Sequence, residues 1–135
     1  MTQVALLLAG ALLQTPPPPP ITIIEPILYY ESGSTTPREL NRRNLESLVE
    51  HALRPDVTAV IIKAHTDTVG PADANLDLSR ARGQAVADRL VAEGVPPSII
   101  RIDARGETQL ARPTADEVAE PLNRRVWVDF ESRVS

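Results

Sequence analysis

Between Ile21 and Phe130 the spacing of apolar and polar residues changes period several times, and each change predicts an element. Ile21 to Tyr30 is β-branched and apolar, a strand interrupted by Pro26, so regular pairing is expected only after the proline. Thr36-Pro37-Arg38-Glu39 has the form of a capping box with proline at the first helical position. Leu45, Leu48, Val49, Ala52 and Leu53 follow at helical spacing, and Pro55 closes the element. Val57 to Ala64 is a nearly continuous apolar run, the pattern of a strand covered by helices on both faces. Asp73 to Glu93 predicts a second helix, ended by Gly94 with Pro96 just beyond. Ser98 to Ala104 predicts a third strand. Arg124 to Phe130 predicts a fourth, with Val126, Val128 and Phe130 on one face and Arg125, Trp127 and Asp129 on the other.

The order is βαβαβ, then a long loop and a last strand. Parallel strands joined by helices require right-handed crossovers with the helices laid against the sheet. The expected fold is therefore α/β, a two-layer sandwich with a mixed sheet and helices packed on it. With 1 Trp, 2 Tyr and 1 Phe, its core must rest on Leu, Ile, Val and Ala.

Charge divides the chain unevenly. The 135 residues carry 14 Lys+Arg against 18 Asp+Glu, a net −4, yet residues 1–20 contain no ionisable side chain. Val4 to Leu13 is apolar but shorter than the ~20 residues a membrane-spanning helix needs. It fits the hydrophobic region of an export signal, with Ala9-Gly10-Ala11 as a small-x-small cleavage site. Residues 1–13 are thus expected to be a signal-like segment. Residues 14–20, with five consecutive prolines from Pro16 to Pro20, are expected to form a stiff polyproline spacer, and 21–135 the folded domain. Leu7-Leu8-Ala9-Gly10 resembles a lipoprotein box, but Ala11 stands where the lipidated cysteine would be, so no lipid anchor is expected through this segment. The chain has no cysteine, which excludes disulfides, thiolate metal sites and a thiol nucleophile. A mildly acidic balance argues against gripping nucleic-acid phosphates.

The stretch richest in chemistry is His65-Thr66-Asp67-Thr68-Val69-Gly70, a polar turn at the carboxyl end of the second strand and just before a helix. In α/β sheets ligands bind at that edge, where strand ends and helix N-termini converge. Asn75 and Arg82 are seven residues apart, two helical turns, and project from one face. The turn can fold Asp67 back beside Arg82. An acid and a guanidinium at close range suit a zwitterion, the carboxylate taking an ammonium and the guanidinium taking a carboxylate in bidentate geometry. Each residue also has a structural reading: Asp67 as a turn or helix cap, Asn75 as a helix-start residue, Arg82 as a solvated arginine or a partner of Asp77 or Asp88. His65 with Asp67 lacks the further His or Cys a metal site needs, so neither metal nor cofactor is expected.

The ordered motifs resemble a known family. His65-Thr66-Asp67-x-x-Gly70, Asn75-x-x-Leu78-Ser79-x-x-Arg82-Gly83-x-Ala85-Val86, Gly94-Val95, Ile99-x-Arg101, Gly106-Glu107 and Asn123-Arg124-Arg125-Val126 are similar to the OmpA-like peptidoglycan-binding domain over roughly residues 25–131. The resemblance implies non-covalent binding of the peptidoglycan peptide stem through meso-diaminopimelate, in the periplasm or at the outer membrane of a Gram-negative envelope. It implies that Asp67 receives the ammonium and Arg82 the carboxylate. Asn75 and Arg124 would line the same pocket, and Ser32, in the segment Tyr29 to Ser34, would add a polar contact. Arg125, which shares a face with Trp127, is expected to be structural. The chain departs from the family pattern at Tyr29, at Ala104-Arg105-Gly106-Glu107, at Gly83 and in the loop Asp116 to Pro121. Gly83 costs about 1 kcal/mol in helix propensity and is expected to permit close approach of a strand or of a ligand backbone.

Only two histidines are present and no Ser/His/Asp or Cys/His pattern is visible, so a non-catalytic tether is the leading expectation. The alternative is an envelope adaptor that keeps the fold and works through protein partners. A hydrolase using Asp67 as base with His65 assisting is the third. On the leading expectation, Asp67→Ala or Arg82→Ala abolishes binding and leaves the fold intact.

Overall fold

The computed structural model describes Thr15, Pro16 and residues 26–133. The signal-like segment 1–13, the rest of the proline spacer, and the first-strand residues 21–25 lie outside the described residues. Among the described residues four strands, β1 (Ile27–Tyr29), β2 (Val57–His65), β3 (Ile100–Gly106) and β4 (Arg125–Ser132), form one sheet in the order β1-β4-β2-β3. β4 runs antiparallel to both β1 and β2, whereas β2 and β3 are parallel. The last strand is thus inserted between the first two, and the sheet is mixed, as expected.

Two helices, α1 (Arg42–Ala52) and α2 (Ala72–Ala92), pack on the same face. That face presents Leu28, Val60, Ile62, Ala64, Val126 and Val128 to Leu48, Val49, Ala52, Val86, Ala87 and Leu90. Burying each Leu or Val contributes about 1.5–3 kcal/mol. At Gly83 α2 lies close on the sheet, since a Cβ there would be 2.7 Å from the Ile102 side chain. Of the two approaches expected at this glycine, the structure shows that of the strands. α2 ends in a Schellman motif: Val95 N–H donates to Leu90 O (3.0 Å), Gly94 N–H to Val91 O (3.1 Å), and Gly94 takes φ +110°.

Two local expectations are corrected. β2 is covered by helices on one face only. Its other face carries Ile61 and Lys63 beside Asp129, Trp127, Arg101 and Asp103. The run reads as apolar throughout because β2 lies inside the sheet, where neighbouring strands shelter even Ala59 on the open side, 9% exposed. The first helix does not begin at Thr36. A short 3-10 turn spans Glu39–Asn41, α1 starts at Arg42, and no side chain caps either N-terminus. Pro37 instead bridges to Tyr30, and Arg38 N–H donates to Tyr29 O (2.8 Å). Asn41 Oδ1 accepts from Tyr29 N–H (3.1 Å) and Asn44 donates to Ile27 O (3.2 Å). The return segment therefore supplies partners to the free edge of β1, a demand that outweighs a local cap.

Candidate functional site

α2 lays one stripe against the molecule: Asn75, Ser79, Arg82, Val86 and Leu90 are all buried, polar where the helix meets the 66–70 turn and apolar where it crosses the sheet. The polar half organises the carboxyl edge. Asn75 Nδ2 donates to Val69 O (3.0 Å) and Asp67 O (3.3 Å), holding the turn onto the first turn of α2. Ser79 Oγ accepts from Gly106 N–H (2.9 Å) and donates to Leu76 O (2.8 Å). At Gly106, φ +54°, a Cβ would come within 3.1 Å of the Leu76 backbone, so β3 approaches α2 there with no side chain between.

Asp67 is 4% exposed. Its Oδ1 accepts from Val69 N–H (3.3 Å), and its Oδ2 accepts from Arg124 Nη1 (3.0 Å) and Glu120 N–H (3.4 Å). The carboxylate thus closes its own turn and also receives a cation and a loop amide. Arg124 is positioned by the Pro121–Asn123 3-10 turn and donates from Nε to Tyr30 O (2.9 Å).

Arg82 has no solvent exposure, which excludes the reading of a solvated arginine. Its Nε donates to Ser34 O (2.8 Å), Nη1 to His65 O (3.0 Å) and Nη2 to Glu31 O (3.2 Å). Its guanidinium carbon lies 4.8 Å from the centre of the buried Tyr30 ring. Burial pulls Arg82 down to about 10; the charges of Tyr30 and Asp67 pull it up, and Arg124 pushes it down. Arg82 therefore stays charged at neutral pH. The same burial holds the Tyr30 hydroxyl well above its usual range. Arg82 lies in reach of the Asp67 charge, but the ion pair of Asp67 is with Arg124.

Of the five expected site residues, Asp67, Arg82, Asn75 and Arg124 converge on this turn. Ser32 sits apart, exposed at the second position of a turn over Glu31–Ser34 that Gly33 makes possible with φ +70° and Ser34 N–H closes on Glu31 O (3.1 Å). Arg82 and Arg124 together hold three carbonyls of the 30–34 segment: those of Tyr30, Glu31 and Ser34.

Three further residues complete the site. The Thr68 hydroxyl donates to Ala115 O (2.7 Å) and accepts from Val118 N–H (3.1 Å), fastening a strap of the 112–120 loop over the turn. Asn123, fully buried, accepts at Oδ1 from Arg112 N–H and donates from Nδ2 to Arg112 O, both at 2.8 Å. Glu117 joins the strap to the turn through its backbone and its carboxylate. Thr68 and Asn123 lie inside the motifs read from the sequence. Only the fold shows that both act on one loop. Among the described residues no cluster of three or more His, Cys, Asp or Glu is placed to hold a metal, and no helix is long and apolar enough to cross a membrane.

A model described as the OmpA family matches residues 29–124. Outer membrane porin F of Pseudomonas fluorescens is 32% identical over 90 residues, 67% of this chain and 28% of the porin. The peptidoglycan-associated lipoprotein of Pseudomonas aeruginosa is 30% identical over 100 residues, 73% of this chain and 58% of the lipoprotein. The chain thus spans well under two thirds of either relative. The crystal structure of the peptidoglycan-associated lipoprotein from Burkholderia pseudomallei superposes with a TM-score of 0.70 at 21% identity, covering 79% of this chain and 91% of that one, a likeness of fold. The matched span runs from Tyr29 through the polar turn to Arg124, and on that ground the chain belongs to the OmpA family.

Proposed function

We propose that this chain binds peptidoglycan without catalysis, through the meso-diaminopimelate of the peptide stem, and tethers what carries it to the cell wall of a Gram-negative envelope, in the periplasm or at the outer membrane. The observation that carries this reading is a buried carboxylate on one turn at the carboxyl edge of the sheet, with two buried guanidinium groups brought to it from α2 and from the start of β4. Such a constellation matches a ligand bearing an ammonium and a carboxylate on one carbon. Asp67 takes the ammonium and Arg82 the carboxylate. Three of the five N–H donors of Arg82 are engaged by carbonyls, which aims the remaining two. Asn75 holds the turn in shape, Arg124 neutralises Asp67 until the ammonium arrives, and Ser32 offers a hydroxyl at the rim. Asp67 is covered by the strap and Arg82 by the 30–34 segment, so on this reading the ligand displaces part of that cover. Membership of the OmpA family, with relatives named as outer-membrane and peptidoglycan-associated proteins, supports the same reading.

Sacculi stripped of protein test it. The wild-type chain should sediment with diaminopimelate-type sacculi, free meso-diaminopimelate should compete, L-lysine should compete poorly, and Asp67→Asn should stay in the supernatant. Equal sedimentation of wild type and Asp67→Asn would overturn the site.

A further inference from the structure

Glu117 is the one non-glycine residue among those described with a positive φ, +58°. A left-handed conformation costs a non-glycine residue about 1–2 kcal/mol. Two hydrogen bonds hold it there: its N–H donates to Thr68 O (2.9 Å), and its Oε2 accepts from Gly70 N–H (3.2 Å). Glycine would keep the first and lose the second, so the strained backbone serves to aim the carboxylate. Asp67 Oδ1 accepts from Val69 N–H, the amide next in sequence to that of Gly70. Two carboxylates are therefore seated on successive amides of one turn, whose Cα atoms are about 3.8 Å apart.

Their charges are compensated differently. Asp67 is paired with Arg124, and Glu120, the other acid of the strap that touches the site, has Arg112 at 3.7 Å. Glu117 is exposed and makes no ion pair among the described residues. An ammonium carries three donors and can meet more than one carboxylate at once.

Resting on the pocket reading above, we infer that Glu117 is a specificity-determining residue of this site, a second anchor that shares the ligand's ammonium with Asp67 from the solvent side. It supplies negative charge that Asp67, already facing Arg124, offers only in part. Because it is on the rim, it acts through a screened interaction that high salt weakens.

The test is calorimetric titration of the full chain with a diaminopimelate-containing muramyl tripeptide at low and high salt, for wild type, Asp67→Asn, Glu117→Gln and Glu117→Gly. Glutamine keeps an oxygen for Gly70 N–H and removes only the charge. Glu117→Gln should bind about three- to tenfold more weakly at low salt, with a flatter salt dependence and an unchanged melting temperature. Glu117→Gly should bind as weakly while melting at the same or a higher temperature, since the strain is gone; a merely structural residue would not lose affinity while stability is kept. If wild type binds, Asp67→Asn does not, and Glu117→Gln matches wild type at both salt concentrations, the inference is overturned and the pocket reading stands. If wild type itself gives no binding, the pocket reading falls and the role of Glu117 falls with it.

Discussion

Asp67 with Arg124 and Lys63 with Asp129 are ion pairs of similar length, 3.0 and 2.7 Å, but the first lies at the carboxyl edge of the sheet and the second on its open face. Around the first pair the side chains are 10% and 6% exposed, and Glu120 and Tyr30 backbone groups complete the hydrogen bonding. Around the second they are 38% and 43% exposed, and the Trp127 indole N–H joins Asp129 at 2.7 Å. Lys63 and the Trp127 indole, both hydrogen-bonded to Asp129, hold its carboxyl below the usual carboxylate range. Length therefore says little about what a pair is worth. A pair in water is screened and contributes little, whereas a desolvated pair is costly to break because the remaining charge keeps its burial and loses its partner. The carboxyl edge is the part of this sheet where polar groups are committed to one geometry, as a ligand pocket requires, and the open face is a solvated surface.

That contrast is broken most severely at Arg82. Arg82→Met strips the donors from three carbonyls, those of Glu31, Ser34 and His65, and should lower the unfolding free energy by about 3–5 kcal/mol in urea titration. A loss below about 1 kcal/mol would mean that the guanidinium organises nothing. It follows that Arg82→Ala is a poor binding probe: the expectation that it leaves the fold intact does not fit a fully buried guanidinium that ties three segments together.

His65 gives the next largest effect, through pH. The residue is 3% exposed and its Nδ1 has no partner among the described residues. Burial first, then the charges of Arg125 and Arg105, hold it down to about 4, against the Gln109 carbonyl and Asp103. As pH falls the unfolded chain, with a His near 6.5, takes the proton first. The contribution of the neutral ring is therefore full above about 6.5 and lost progressively as pH falls through about 4, up to about 3 kcal/mol in all. His65→Gln should flatten the stability curve in that window. Parallel curves for variant and wild type would assign the acid loss to other groups.

Asp67→Asn sharpens the contrast more gently. Its amide oxygen can still accept from Val69 N–H, but Arg124 is left without a counter-charge, and stability should fall by about 2 kcal/mol while binding is lost. Lys63→Ala on the open face should cost less than about 1 kcal/mol, less still in 1 M salt, and leave binding untouched. A larger loss there would erase the distinction between the edge and the open face.

Much of this was legible in residue order. The helix over 72–92, its glycine stop and the alternation of β4 each follow from a local pattern that tertiary packing agrees with. So does the convergence of Asp67, Asn75 and Arg82, because a strand end, a short turn and helical spacing leave little freedom. The Asp67–Arg124 pair spans 57 residues and depends on β4 being inserted beside β2, which no local spacing encodes. Helical spacing does not show the burial of Arg82 for a related reason: it says which residues share a face, and the 30–34 segment that covers this one is bonded to it across 48 to 51 residues. The capping pattern at Thr36 does not give the start of α1, because it competes with the need of the β1 edge for hydrogen-bond partners, and the edge prevails.

The central claim is that the turn at 67–70, with Arg82 and Arg124, is the ligand pocket. Titration of the isotopically labelled chain with meso-diaminopimelate, followed by nuclear magnetic resonance, tests it directly. The account predicts saturable shifts of the Val69, Gly70 and Glu117 amides and of the Arg82 and Arg124 Nε–H signals, all with one dissociation constant and all absent in Asp67→Asn. Shifts confined to another surface, such as the groove between α2 and β3 lined by Gln84, Val91, Pro97 and Ile102, would contradict it.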